Sequence, residues 1–237
     1  MQLAVITGSS RGLGFEFARL CLESGIAVLG ISRHASSALN HKLFTPLDLD
    51  LSSLEIDAFE DSLSNWQKQY PKWTSSWLFH SAATVDPLGS VGEISSKEID
   101  RCIQFGVTAT AQLLNSFVRL TQNAEAAKVA ALVSSGAAES TIRGAAIYCA
   151  SKAAMEMYAQ VVDEEQKTQR HPVEISIIRP GIFESSMQEQ LRASSILDKE
   201  IFLQFKEQKR LKTAADVAGR IFMKLKKDGR LPKLLHL

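Results

Sequence analysis

The chain has 237 residues, of which 45% are hydrophobic, and a formal net charge of +1 at pH 7. This size and composition predict a single domain, residues 1–237, with one substantial core. The near-neutral charge argues against nucleic acid or an anionic membrane surface as a partner.

Cysteine usage and the N-terminus bear on the cellular compartment. Cys21, Cys102 and Cys149 are odd in number and lack metal-type spacing, which predicts reduced thiols and no metal site. The opening M-Q-L-A-V-I-T-G enters a strand pattern with no basic region, so we expect no signal peptide. No apolar run is long enough to span a bilayer. We therefore expect a cytoplasmic protein.

The first strand, residues 3–7, leads into a glycine-rich loop and a helix over residues 15–24. The loop, T-G-S-S-R-G-L-G (residues 7–14), has glycines in the spacing G-x-x-x-G-x-G. Glycines permit a tight strand-to-helix turn and let backbone amides approach a pyrophosphate at the positive end of the helix. The position of the loop in the first βα unit favours dinucleotide binding over an ordinary turn.

The second strand, residues 26–32, ends next to Arg33. An acidic residue here would bind the ribose 2′-hydroxyl of NAD, whereas an arginine favours the 2′-phosphate of NADP. Arg11, inside the glycine loop, can reach the same phosphate. The two arginines together predict NADP(H).

The next elements are a weak strand over residues 42–47, a helix over about 53–70 and a strand over 73–80. This strand ends in H-S-A-A (residues 80–83). We interpret His80 as a structural residue rather than a base or ligand, because no His, Cys or carboxylate partner lies near it in sequence.

A mostly apolar helical stretch begins at residues 95–101 and runs to about 120, interrupted by Gly106. Apolar helices near 102–120 and 148–162 favour a homodimer or homotetramer. The fifth strand covers residues 129–134, and the following helix covers 145–168.

Three side chains that can perform proton chemistry lie around this fifth strand and helix. Tyr148 and Lys152 are four residues apart and share one helical face. Ser135 lies thirteen residues before the tyrosine, where a strand would deliver its hydroxyl to the carboxyl edge of the sheet. A phenol, an ammonium and a hydroxyl that converge there can act on a carbonyl or an alcohol.

The C-terminal third begins with a strand over residues 173–179, which Pro180 and Gly181 end. Residues 183–209 are amphipathic, with apolar residues that include Leu197; they predict a lid over an apolar substrate or, alternatively, a surface helical hairpin. A helix over 214–226 and an edge strand over 231–237 complete the chain. Alternating strands and helices predict an α/β fold of the Rossmann type, with a doubly wound parallel sheet and helices on both faces.

In this order and spacing, four motifs make the whole chain resemble the short-chain dehydrogenases/reductases. They are the glycine loop, Asp48-Leu49, the Ser135…Tyr148-x-x-x-Lys152 set and P-G-I-F-E-S (residues 180–185). Y-C-A-S-K-A-A and P-G-I-F-E-S-S-M-Q-E-Q-L-R look most like the sepiapterin reductase and benzil reductase branch.

The resemblance implies a role for each of these groups. Tyr148 would be the general acid, Lys152 would lower the pKa of the phenol and bind the nicotinamide ribose, and Ser135 would bind the substrate oxygen. Asp48 and the Leu49 backbone would contact adenine, and Ile182 and Ser185 would hold the carboxamide. The full set of implied cofactor contacts is Gly8, Ser10, Arg11, Gly12, Leu13, Gly14, Arg33, Asp48, Leu49, Ser81, Ala82, Ala83, Tyr148, Lys152, Pro180, Gly181, Ile182 and Ser185.

Two positions depart from the pattern of the family. His80-Ser81-Ala82-Ala83 replaces the usual N-N-A-G, and Ala83 adds a methyl group where adenosine would pass. Gly106 stands where the family has an asparagine that helps hold a water linking the lysine to solvent. We expect the site to have room for that missing side chain.

Three functions are consistent with these residues. The leading one is reduction of a ketone, diketone or aldehyde with NADP(H). The same residues running in reverse would make an alcohol or steroid dehydrogenase, which the two arginines disfavour. A degenerate member that binds a dinucleotide as a sensor or scaffold is the alternative outside enzymes.

Overall fold

The computed structural model describes residues 1–34, 36–196, 198–208 and 211–237. The strands in this part of the chain are β1 (Gln2–Thr7), β2 (Ala27–Ser32), β3 (Phe44–Asp48), β4 (Ser75–His80), β5 (Ala127–Val133), β6 (Val173–Arg179) and β7 (Leu234–His236). The α-helices are α1 (Gly12–Glu23), α2 (Ile56–Lys68), α3 (Ser96–Ile103), α4 (Ala109–Thr121), α5 (Ala146–Gln166), α6 (Ser186–Ala193), α7 (Lys199–Glu207) and α8 (Ala214–Asp228).

All seven strands form one parallel sheet in the order β3-β2-β1-β4-β5-β6-β7. The chain builds outward from β1 to β3 on one side and then crosses back to add β4 and its successors on the other. A crevice therefore opens between the carboxyl ends of β1 and β4, where open α/β sheets bind ligands. The predicted Rossmann-type sheet is confirmed.

Side chains that alternate along each strand create two cores, one on each face of the sheet. On β1, Ala4 and Ile6 face a cluster that includes Phe17 of α1 and Phe222 of α8. The intervening residues face a second cluster that contains Phe117 of α4 and other residues of α2, α4 and α5. Burial of both faces explains the near-continuous apolar runs of the central strands.

Local signals fix the ends of several helices. Ser95 and Glu98 form a capping box at the start of α3, as do Thr213 and Asp216 at the start of α8. Gly229 ends α8 with a φ of +68°, a left-handed conformation that glycine adopts without strain. Among the described residues, no helix combines the length and the apolar character that crossing a membrane would require.

Candidate active site

A cavity of about 940 Å³ runs along the carboxyl edge of the sheet, from the glycine loop to the Ser135–Tyr148–Lys152 set. Two residues of the predicted cofactor set, Asp48 and Ile182, do not line it. The predicted residues that line it are Gly8, Ser10, Arg11, Gly12, Leu13, Gly14, Arg33, Leu49, Ser81, Ala82, Ala83, Ser135, Tyr148, Lys152, Pro180, Gly181 and Ser185.

The glycine loop has the geometry needed for a close approach to a phosphate. Gly8 and Gly12 have φ angles of +71° and +61°, which side-chain-bearing residues rarely adopt. A methyl group at Gly14 would collide with the carbonyl oxygen of Gly8. The loop leads directly into α1, whose first turn carries no acidic residue. These features fit the pyrophosphate of a dinucleotide at the helix N-terminus.

The end of the cavity beside the glycine loop and β2 carries both signs of charge. Arg11 and Arg33 are exposed and line the cavity, and Asp50 lines it too. The Asp50 carboxylate accepts hydrogen bonds from the amide (2.9 Å) and hydroxyl (2.8 Å) of Ser52. Partial burial raises the pKa of Asp50, but these hydrogen bonds and the charge of Arg33 outweigh it and lower the pKa overall.

Asp50 is not among the predicted cofactor contacts, which include Asp48. Asp48 is the last residue of β3 and is exposed, whereas Asp50 lies two residues further, before a 3₁₀ turn at Leu51–Ser53. Both are acidic residues at or just beyond the end of β3, so only the position of the turn distinguishes them.

The three groups of the predicted catalytic set come from two elements. Ser135 follows β5 and caps the 3₁₀ turn Gly136–Ala138, where its Oγ accepts a hydrogen bond from the Ala137 amide at 3.2 Å. Tyr148 and Lys152 lie on the first turns of α5, and both are buried. The Lys152 Nζ donates to the Val133 carbonyl at 2.9 Å and lies 6.0 Å from the centre of the Tyr148 ring. The structure therefore brings Ser135, Tyr148 and Lys152 together.

Burial dominates the ionisation of this set. It raises the pKa of Tyr148, while a hydrogen bond with Ser135 lowers that pKa in part. Burial also lowers the pKa of Lys152 to about 8, and the neighbouring Glu156 carboxylate opposes this effect. The net direction of the Tyr148 pKa is therefore upward, and the expected lowering by Lys152 stays a prediction.

His80 is part of a buried hydrogen-bonded chain. Its Nδ1 lies 3.0 Å from Thr7 Oγ1, and its Nε2 lies 2.9 Å from Thr110 Oγ1. Thr7 Oγ1 also accepts from the amides of Ser81 and Ala82. This series of hydrogen bonds connects the end of β4 to the cofactor crevice, which agrees with the interpretation of His80 as a structural residue. Its partners are distant in sequence, so proximity along the chain could not identify them.

The helix interruption at Gly106 is a π-helical segment, Gln104–Thr108, between α3 and α4. A Cβ atom added at Gly106 would lie 3.1 Å from both the Cβ and the Oγ of Ser151, the residue before Lys152. Ser151 would have to move by a few tenths of an ångström to admit this atom, and a small cavity lined by Gly106, Ser151 and Lys152 lies beside it. The expected room for an asparagine side chain stays a prediction.

The segment predicted as a lid or a helical hairpin contains α6 and α7. Both helices pack on an apolar cluster that includes Tyr148, Leu191, Ile196 and Phe202. The Asp198 carboxylate accepts from the amide and the Nε of Arg143, each at 2.7 Å, and so ties the segment to the loop before Tyr148. Leu197 and Lys209 of the predicted lid lie outside the described residues.

Comparison with known proteins shows which family the chain resembles. The family described as short chain dehydrogenase matches residues 2–195. A benzil reductase ((S)-benzoin forming) of Bacillus subtilis is 32% identical over 98% of this chain and 97% of its own length. The corresponding enzyme of Bacillus cereus is 29% identical over 93% and 92%. An NADPH-dependent pterin aldehyde reductase of Arabidopsis thaliana is 28% identical over 69% of each chain.

Solved structures share the fold. The KRED1-Pglu enzyme superposes with a TM-score of 0.84 at 18% identity, covering 98% of this chain and 97% of its own. A short chain dehydrogenase of Shigella flexneri complexed with NADP gives a TM-score of 0.76 at 19% identity, with 99% and 95% covered. The chain therefore belongs to the short-chain dehydrogenases/reductases, an oxidoreductase family that binds nicotinamide dinucleotides, and within it to the branch of benzil and sepiapterin reductases.

Proposed function

We propose that this oxidoreductase reduces a carbonyl to an alcohol with NADP(H), with Tyr148 as the general acid. The observation that carries the proposal is that Ser135, Tyr148 and Lys152 share one cavity with the glycine loop. The benzil reductase names of two relatives and the pterin aldehyde reductase name of a third support carbonyl reduction.

Each side chain then has a chemical task. When bound, the nicotinamide supplies the hydride that reaches the carbonyl carbon. Tyr148, whose raised pKa keeps its proton at neutral pH, gives that proton to the substrate oxygen. Ser135 donates a hydrogen bond to the same oxygen as negative charge develops there. Lys152, with a pKa of about 8, is cationic at pH 7 and stabilises the phenolate that Tyr148 becomes.

The preference for NADP(H) rests on Arg11 and Arg33. Both guanidinium groups are exposed at the adenosine end and can make charge-assisted hydrogen bonds to a 2′-phosphate. Asp50 would repel that phosphate, but its carboxylate is held by Ser52. The net charge next to the 2′-phosphate is therefore positive. By the same proposal the glycine loop, Leu49 and residues 81–83 hold the nucleotide, and Pro180, Gly181 and Ser185 hold the nicotinamide.

The substrate end of the cavity supports a ketone, diketone or aldehyde with an apolar substituent. Leu88, Phe183 and Met187 line it, and Leu88 and Met187 also pack on the cluster that contains Tyr148. Polar groups such as Gln188 and Gln190 lie on the same rim and can orient a second oxygen. We propose α6 and α7 as the lid of this site.

The test is NADPH oxidation by the purified protein with a panel of diketones and aldehydes. Tyr148→Phe removes one hydroxyl and should lower kcat by about 10²–10⁴-fold while NADPH binding persists. Tyr158→Phe is the matched control, because its hydroxyl lies on the same helix but bonds to the Ala111 carbonyl. Near-wild-type turnover in Tyr148→Phe would remove its assigned role. NADPH binding without turnover of any carbonyl would favour the sensor or scaffold alternative.

Oligomerisation and location are further parts of the proposal. Met157 and Val161 are exposed on α5, which supports a homodimer or homotetramer through this helix; light scattering in solution tests it. Cys21, Cys102 and Cys149 are free, which supports the reducing cytoplasm as the compartment.

A further inference from the structure

A buried ion pair lies next to the catalytic set without being part of it. The Arg179 guanidinium donates through Nε (2.9 Å) and a second nitrogen (2.5 Å) to the two carboxylate oxygens of Glu156. Only 7% of each side chain is exposed. The third guanidinium nitrogen contacts the exposed carboxylate of Glu139 at 2.5 Å. We refer to Glu156 and Arg179 as the clamp.

The clamp contacts Ser134, the residue between β5 and Ser135. The Ser134 hydroxyl donates to Glu156 Oε1 at 2.5 Å, and the Ser134 amide donates to the Ile178 carbonyl of β6 at 2.7 Å. Ser134 is buried, and the next residue is Ser135. The residue directly before Ser135 is therefore held by both Glu156 and β6.

The clamp also adjoins the other two parts of the site. Glu156 lies one helical turn after Lys152 on the same face of α5. Arg179 is the last residue of β6, directly before Pro180 and Gly181, which line the cavity. The two-point contact thus joins α5 to the end of β6, and the Ser134 hydrogen bond joins α5 to the end of β5.

The desolvation cost of such a pair limits what it adds to stability. Removing two charges from water opposes their attraction, so a buried ion pair is weak as a source of stability. The planar guanidinium accepts one orientation of the carboxylate, which fixes distance and angle together.

We propose that Glu156 and Arg179 are positioning residues for carbonyl reduction, which set the spacing of Ser135, Lys152 and the Pro180–Gly181 turn. This inference rests on the proposed function. It concerns geometry and charge at the site, since neither side chain lines the cavity.

The charge of Glu156 should affect how the activity depends on pH. Glu156 and Cys102 oppose the lowering of the Lys152 pKa by burial. The other titratable groups near the ammonium are His80, whose pKa burial holds at about 3, and Tyr148. Loss of the Glu156 charge should therefore let the pKa of Lys152 fall further, so that the lysine loses its proton at lower pH.

The test compares three variants by kcat, by the alkaline limb of kcat/KM and by the dissociation constant of NADPH. Glu156→Gln should lower kcat about 10–10²-fold and move the alkaline limb to lower pH. Arg179→Lys keeps the charge but not the two-point contact, so kcat should fall while the limb stays in place. Glu139→Gln removes the exposed partner of the same arginine and should change neither.

The readouts separate the outcomes. If the role of Glu156 is merely structural, Glu156→Gln lowers thermal stability and the active fraction but does not move the alkaline limb of kcat/KM. That result would overturn the inference. A wild-type kcat in Glu156→Gln would also overturn it. If Glu156→Gln does not fold, Glu156→Asp keeps the charge with a shorter reach, and a wild-type kcat there overturns the inference. If the wild type binds NADPH but reduces no carbonyl, the proposed function fails. The clamp is then tested by the pH dependence of NADPH affinity. Glu156→Gln should lose affinity for NADPH at a lower pH than wild type, and an unchanged pH dependence would overturn the inference.

Discussion

His80 is predicted to make the stability of the protein depend on pH. Thr110 Oγ1 gives its only proton to the Gly106 carbonyl at 3.0 Å, so His80 Nε2 must be the donor in the 2.9 Å contact with Thr110. His80 Nδ1 then accepts from Thr7. Protonation would place a second N–H against Thr7 and a charge in the core. Burial lowers the pKa of His80 to about 3, and the charge of Lys152 contributes to the shift.

The sign and size of the effect follow from linkage. Below a pH of about 6.5, the unfolded chain binds a proton at this histidine that the folded chain refuses, so stability falls as pH falls. The loss begins near the unfolded pKa and is complete near the folded value of about 3. Each pH unit within this window contributes about 1.4 kcal/mol. Between pH 6.5 and pH 5 the loss is therefore about 2 kcal/mol, which does not depend on the lower limit.

The assay is urea unfolding at about pH 7 and about pH 5, with wild type and His80→Asn compared. Asparagine keeps a donor and an acceptor but cannot take up the proton. Between the two pH values, the free energy of unfolding of the variant should therefore fall by about 2 kcal/mol less than that of wild type. His34→Asn, at an exposed position, controls for the loss of a histidine. Equal acid destabilisation in wild type and His80→Asn would refute the assignment of a neutral, buried imidazole.

Two further substitutions test the cofactor crevice and the π-helical segment. Arg33→Asp should shift the ratio of NADPH to NADH affinity toward NADH by about 10–10²-fold, because a charged hydrogen bond is lost and repulsion is added; equal binding of both cofactors by wild type would contradict this. Gly106→Asn should destabilise the fold by about 1–3 kcal/mol in urea unfolding, because its Cβ would press on Ser151 at 3.1 Å. Unchanged stability in that variant would show that the π-helical segment moves easily away from α5.

The fold could be predicted because its signals are local. Strands buried on both faces appear as apolar runs, and β1 is followed by a glycine turn and a helix. The chain from β1 through α1 illustrates this, since the predicted and observed bounds differ by only a few residues. The bounds of α6 and α7 were not predicted, because their apolar residues pack on Tyr148 rather than on the sheet.

Within the site, the sequence indicated the groups but not their environments. Ser135, Tyr148 and Lys152 lie together as the motif predicts, since strand ends and helix faces determine their positions. The direction of the Tyr148 pKa could not be predicted, because it depends on how completely the ring is buried. The partners of His80 and Arg179 come from distant parts of the chain, so only the folded topology reveals them.

The departures from the family pattern alter the supports of the site rather than its reacting groups. Where the family has asparagine after the fourth strand, His80 spans from Thr7 to Thr110 and so connects the cofactor crevice to the π-helical segment. The Gly106 carbonyl accepts a hydrogen bond from Thr110, and Ser151 packs close to Gly106. His80 and Gly106 therefore belong to one buried network, connected through Thr110. If the proposed function holds, this network can vary while Ser135, Tyr148 and Lys152 keep the arrangement that reduction requires.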